Sequence, residues 1–244
     1  MKIVDVCLVT HCLASQHDFY ARVLGFPVLS AHHDTLTLGV GDARLTFARR
    51  EQEGEGERDG ERDGSYHVAF TIPTNQFAEA KAWLVQRVPL ITDAAGTDVF
   101  FFSKWNAHAL YFADPAGNVM ELIARHTLPN ATDRPFDALN ILTISEIGLA
   151  TENVQETTEV LRATLGVTPH HIQGSETFTA LGDDHGLLIV VDQKRDWFPE
   201  TGKTAGPMPV TATVAQGSGH TYRISVPPCP CAIEALPTCS AVGA

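Results

Sequence analysis

Basic residues are scarce in this chain: 17 Lys and Arg stand against 29 Asp and Glu in 244 residues, a net charge of −12. That balance argues against nucleic acid and anionic membrane surfaces as partners, because both are recognised by clustered positive charge. Long apolar runs are missing too, and none approaches the ~20 residues of a membrane-spanning helix. The opening MKIVDVCLVTHC carries Asp5 early, His11 close behind and no small-residue cleavage site, so it reads as a first strand and not as a signal peptide. Cysteine is sparse, five residues in all (Cys7, Cys12, Cys229, Cys231 and Cys239). An odd number in a chain of this length predicts reduced thiols and a cytoplasmic location. Neither a phosphate-cradling glycine loop nor a G-x-S-x-G nucleophile motif is present. What is there is globular: 44% hydrophobic and 19% charged residues, enough for one large or two ordinary domains.

Two-residue alternation marks the strands. Residues 3–10 place Val4, Val6 and Leu8 on one face and Asp5, Cys7 and Val9 on the other. Ser15 to Leu24 reads as a helix closed by Gly25, and strands follow at Val28–Ala31, Thr35–Val40 and Arg44–Ala48, with Gly41-Asp42 as a hairpin turn. The order is βαβββ. Residues 51–64 are acidic, polar and repetitive, and are expected to form a solvated loop. The order then repeats: a strand at Tyr66–Ile72, a helix at Gln76–Val88, and strands near Val99–Ser103, Ala107–Ala113 and Val119–Arg125. In the last pair, LYFADPAGNVMELIAR, Pro115, Gly117 and Asn118 make a tight turn and Glu121 stands in a mostly apolar strand.

A third copy is ungapped. Asp5, Leu8, Thr10, Leu24, Gly25, Gly41 and Asp42 each match a residue 141 positions on: Glu146, Leu149, Thr151, Leu165, Gly166, Gly182 and Asp183. A fourth copy would open with Pro209–Val214, but the counterpart of Glu121 falls past residue 244, so this unit is truncated.

YFADPAGNVMEL, the strand opening with His67, and the helix FYARVLGFPV together resemble the vicinal oxygen chelate superfamily. This group includes glyoxalase I, extradiol ring-cleaving dioxygenases, fosfomycin-resistance enzymes and bleomycin-resistance proteins. The resemblance implies an α+β fold in which tandem βαβββ units curl into a cup-shaped sheet. It also implies metal ligands on the first and last strands of units: His67, Glu121 and, fourteen residues before Phe19, Asp5. His, Gln or Glu is usual at that last position, and Leu45 stands where a fourth ligand would be. One His and two carboxylates suit Fe(II), Mn(II), Ni(II) or Zn(II). Tyr111, ten residues before Glu121, matches the substrate-facing Tyr of the extradiol enzymes and is the candidate catalytic acid or hydrogen-bond donor; the place of their acid/base His is taken by Phe102.

The expected organisation is a complete two-unit domain over 1–126, a linker over 127–139, a degenerate half over 140–226 and an irregular tail over 227–244. In this reading Glu146, without partners in its own half, is a vestigial or surface residue. The expected function is a metal-dependent enzyme acting on a small substrate with vicinal oxygens, dioxygenase-like before glyoxalase-like. The alternative is a metal-free binding protein of the bleomycin-resistance kind. A small molecule, and at most a second copy of the chain, are the expected partners.

Overall fold

The computed structural model describes residues 1–50, 64–199, 201–227 and 230–237. The acidic repeat expected as a loop lies almost wholly outside them, as do residues 228–229 and 238–244 of the tail.

The first unit comprises β1 (Lys2–Thr10), α1 (Leu13–His17) running on into a π-helical stretch (Asp18–Val23), β2 (Val28–Ala31), β3 (Thr35–Val40) and β4 (Ala43–Arg49). The second comprises β5 (His67–Thr71), α2 (Phe77–Val85), the short β6 (Leu90–Ile91) and β7 (Phe100–Phe102), β8 (Ala107–Ala113) and β9 (Val119–Arg125). The third has β10 (Thr143–Thr151), α3 (Val154–Leu165), β11 (Phe178–Asp183) and β12 (Gly186–Asp192). Among the described residues, the fourth comprises β13 (Val210–Ala215), β14 (Thr221–Val226) and β15 (Ala232–Leu236). The tail is thus not irregular throughout, since β15 extends the sheet by pairing with β14. None of the described helices is long and apolar enough to cross a membrane.

Local chemistry sets the element ends. The side chain of Asn153 accepts a hydrogen bond from Glu156 N at the start of α3, and Gly166, at φ 66°, closes its far end. Between β8 and β9, the Asp114 carboxylate accepts from the backbone N–H groups of Ala116 (2.9 Å) and Asn118 (3.0 Å), while Gly117 takes φ 81°. The tight turn read from DPAGN is therefore built as expected.

How the units associate is the main departure from the sequence reading. β10 of the third unit runs antiparallel to β5 of the second, with Ile147 opposite Val68. β13 of the fourth runs antiparallel to β1 of the first, with Val6 opposite Ala212. Units two and three therefore close one cup and units one and four another, and a bridge between Ile3 and Ile144 joins them in a single sheet. Alternation then divides the side chains. Val68, Phe70, Met120, Leu122, Ile147 and Leu149 enter the core shared with helix residues such as Leu84, Leu161 and Leu165. The opposite faces of the same strands line the cup.

Candidate functional site

Register alone assembles the floor of the second–third cup. Ala69 on β5 lies opposite Glu121 on β9 and opposite Glu146 on β10, while Glu121 lies opposite Tyr111 on β8. A single row thus reads Glu146, Ala69, Glu121, Tyr111 across neighbouring strands, and cross-strand partners face the same side. His67, two residues before Ala69, shares that face. Because Ala69 carries only a methyl group, the space between the two carboxylates stays open.

His67 Nε2 lies 3.4 Å from Glu121 Oε2 and 3.8 Å from Glu146 Oε2, and all three residues are buried. On its other edge, His67 Nδ1 lies 3.0 Å from the Val119 carbonyl, to which it donates. That bond fixes the ring and directs Nε2 at the carboxylates, the usual second support of a metal-ligating imidazole. Donors bound ~2.1 Å from one ion stand ~3 Å apart when adjacent. The two spacings about the imidazole need close by roughly 0.4 and 0.8 Å to reach that value, and all three ligand atoms already lie within 4.8 Å of one another, so one nitrogen and two carboxylate oxygens could gather on a divalent cation.

The electrostatics point the same way. Burial and the nearby Glu146 carboxylate push Glu121 up to about 8. Burial alone would lower the His67 imidazole, but Glu146 and Glu121 outweigh it and hold it above its ordinary value. Glu146 is also buried, yet His67 and Arg125 hold it below the usual carboxylate range. Arg125, fully buried on β9, pairs through Nη2 with Glu146 Oε1, and its Nε donates to Ser145 Oγ at 3.3 Å. The remaining acid–acid repulsion is what a bound divalent cation would relieve.

Of the sequence-derived residues, His67, Glu121 and Tyr111 come together and Asp5 does not. The Asp5 carboxylate is ion-paired with Arg44 Nε at 2.8 Å in the other cup, because β1 is flanked there by β4 and β13. Glu146, expected to be vestigial, is instead 3% exposed and occupies the third corner. Its partners, His67 and Arg125, lie in the second unit and not in its own half. His108, on the opposite face of β8 from Tyr111, packs against His126 (2.7 Å between ring nitrogens). A further group of His170, His171 and Asp184 is drawn together nearby, but Asp184 already accepts from Thr127 (2.7 Å) and contacts His170 (2.9 Å).

Above the floor opens a cavity of about 420 Å³. Its walls are largely apolar, with Phe102, Trp105, Phe178, Ile189 and Val191 among them, and Lys104, Arg195 and Asp196 interrupt them. The Trp197 indole packs against the His67 ring, tilted by 34° with centroids 5.2 Å apart, and donates its Nε1–H to Ser65 O at 2.7 Å. Phe198 packs edge-on against Phe100 (4.9 Å) and Tyr111 (5.5 Å). Burial, and then the charges of Glu121 and Glu146, raise the Tyr111 phenol well above its ordinary value, so it stays a proton-bearing donor.

Residues 2–122 match the model of the Glyoxalase/Bleomycin resistance protein/Dioxygenase superfamily. Through these residues, the chain belongs to that superfamily. The solved structure of a candidate dioxygenase from Bacillus subtilis subsp. subtilis strain 168 is 19% identical over 78% of this chain and 63% of its own, with a TM-score of 0.56. That likeness extends the shared fold past the second unit. A lactoylglutathione lyase from Agrobacterium tumefaciens is 17% identical over 52% of this chain and 96% of its own, at a TM-score of 0.40. A Nocardioides protein of the same superfamily is 22% identical over 56% and 89%, at 0.39. No curated protein matches the sequence.

Proposed function

We propose that this superfamily member is a metal-dependent enzyme acting on a small substrate with two adjacent oxygens, with His67, Glu121 and Glu146 as the metal ligands. The observation that carries the reading is the convergence of these three buried donors, 3.4 and 3.8 Å apart about His67 Nε2, at the floor of an aromatic-walled cavity. Fe(II), Mn(II), Ni(II) or Zn(II) held there would supply Lewis-acid chelation of vicinal oxygens and, for the redox-active ions, a site for O₂.

The chain's own residues supply the rest. Arg125 holds Glu146 by one oxygen and leaves the other for the ion. The Val119 carbonyl keeps His67 in the tautomer that ligates through Nε2. Tyr111, facing Glu121 across the row, donates a hydrogen bond to a substrate oxygen, and Trp197 with Phe198 keeps water off the reacting centre. Three protein ligands on one side leave positions for two substrate oxygens and a third small ligand, which favours a dioxygenase-like reaction over glyoxalase-type isomerisation.

A metal-free binder is the second reading, because a protonated His67 between two carboxylates is itself a closed ionic arrangement. The test is metal content of protein purified from metal-supplemented cells, for wild type and His67→Ala. Stoichiometric metal that the variant loses supports the enzyme; wild-type protein that neither carries nor takes up metal refutes it.

A further inference from the structure

Resting on the reading of this cavity as the substrate site, we propose that its ligand carries a carboxylate and that Arg195 is the residue that selects it. Between β12 and β13 the chain runs as a strap over the cavity mouth. Its backbone is tied down on both sides: Arg195 N donates to Asp192 O (2.9 Å), Ala205 N to Arg195 O (2.9 Å) and Trp197 N to Lys203 O (2.9 Å). Arg195 is therefore held on the same rigid piece of chain as Trp197, whose ring rests on His67.

The guanidinium lines the cavity and lies over the Phe178 ring, 4.8 Å from its centroid. Among the described residues it makes no hydrogen bond and no ion pair. Arg22, Arg44, Arg49, Arg125 and Arg223 each meet a carboxylate; among the described arginines left without one, Arg195 is the one that lines the cavity. Asp196 is adjacent in sequence but takes the Thr204 hydroxyl at 2.9 Å. Arg195 is exposed at the cavity mouth; partial desolvation there lowers its affinity for its proton, and an anionic group on the ligand would offset that cost. Lys104 adds a second cation to the rim.

These features define the ligand. The aromatic walls favour a flat apolar body, the floor takes its adjacent oxygens, and the planar fork of a guanidinium stacked on Phe178 matches a carboxylate in two parallel hydrogen bonds. Fixing both ring and fork before binding removes part of the ordering cost.

The test uses three probes that share a vicinal-diol ring and differ in the charge of one arm: 3,4-dihydroxyphenylacetate, 4-methylcatechol and dopamine. Each is titrated calorimetrically into the full chain with and without Mn(II), with metal content measured on the same protein. The expected result is that wild type binds the acid about ten-fold more tightly than the neutral probe and the amine most weakly. Arg195→Gln should abolish the preference while leaving the neutral probe unchanged, and Arg195→Lys should restore part of it. Equal binding of acid and neutral probe by wild type, a preference that survives Arg195→Gln, or no binding of any probe overturns the proposal. Metal uptake without charge preference rejects Arg195 alone; charge preference without metal uptake rejects the metal reading alone.

Discussion

The Trp197 indole occupies the volume that a side chain at position 148 would need: a Cβ built on Gly148 would lie 2.5 Å from its Cη2 and 3.3 Å from His67 Cβ. The residue 141 positions earlier, in the other cup, is Cys7. Absence of a side chain on β10 is therefore what lets the indole settle on the imidazole.

Gly148→Cys, which writes the first unit's residue into the third, should expel Trp197 from His67 at a cost of about 1–3 kcal/mol in stability. Tryptophan emission should shift to the red, and affinity for the ion should fall as the site admits water. An unchanged spectrum would contradict this packing.

Protonation of the floor gives a paired prediction. Glu121 and His67 are both raised in the folded chain, so between their ordinary values and about 8 the metal-free fold holds more protons than the unfolded chain. Stability of the metal-free protein should then decline as pH rises through this range. Metal binding must displace those protons, so affinity should fall up to about ten-fold per unit as pH drops below about 8, and more steeply where both protons are released. The rise in melting temperature produced by added Mn(II) or Zn(II) should accordingly be larger at pH 8 than at pH 6. A shift of equal size at both pH values would oppose the assignment of these groups as ligands.

Arg125→Met should cost about 3–5 kcal/mol, because it leaves Glu146 buried without its cation. Adding Glu146→Gln should recover much of that loss, as read by urea midpoints. Failure of the second substitution to rescue would place the role of Arg125 elsewhere.

Asp114→Ala should destabilise by about 3 kcal/mol or more. Its buried carboxylate accepts from Gln16 Nε2 (2.8 Å), the Tyr20 hydroxyl (3.2 Å) and Asn118 Nδ2 (2.7 Å) as well as the turn's backbone, so it ties the first unit's helical segment to the β8–β9 turn. Asp114→Asn, which keeps an acceptor, should cost less in thermal melts.

The repeat, the strand alternation and the DPAGN turn were legible because each is written in local spacing. His67, Glu121 and Tyr111 were legible for the same reason, helped by a family resemblance. Pairing between units was not, since alternation says which face a side chain takes but not which strand lies beside it. Asp5 and Glu146 hold the same place in their units, and nothing local distinguishes them; the strand neighbours do, Arg44 for one and His67 for the other. Arg195 and Trp197 lie in an aperiodic stretch whose shape comes from backbone bonds to distant residues, so no pattern announced them.

The crossed pairing makes this molecule a strand-exchanged dimer drawn as one chain, its two protomers tied together by residues 127–139. Such a dimer has two equivalent sites, and the 141-residue shift shows what became of the second: Asp5 is locked to Arg44, and Met208 stands 141 positions after His67. On the proposed reading, one copy holds the metal site and its twin serves as scaffold. Mutational tolerance should therefore be lopsided, high around Asp5 and low around Glu146, in two places that repetition made alike.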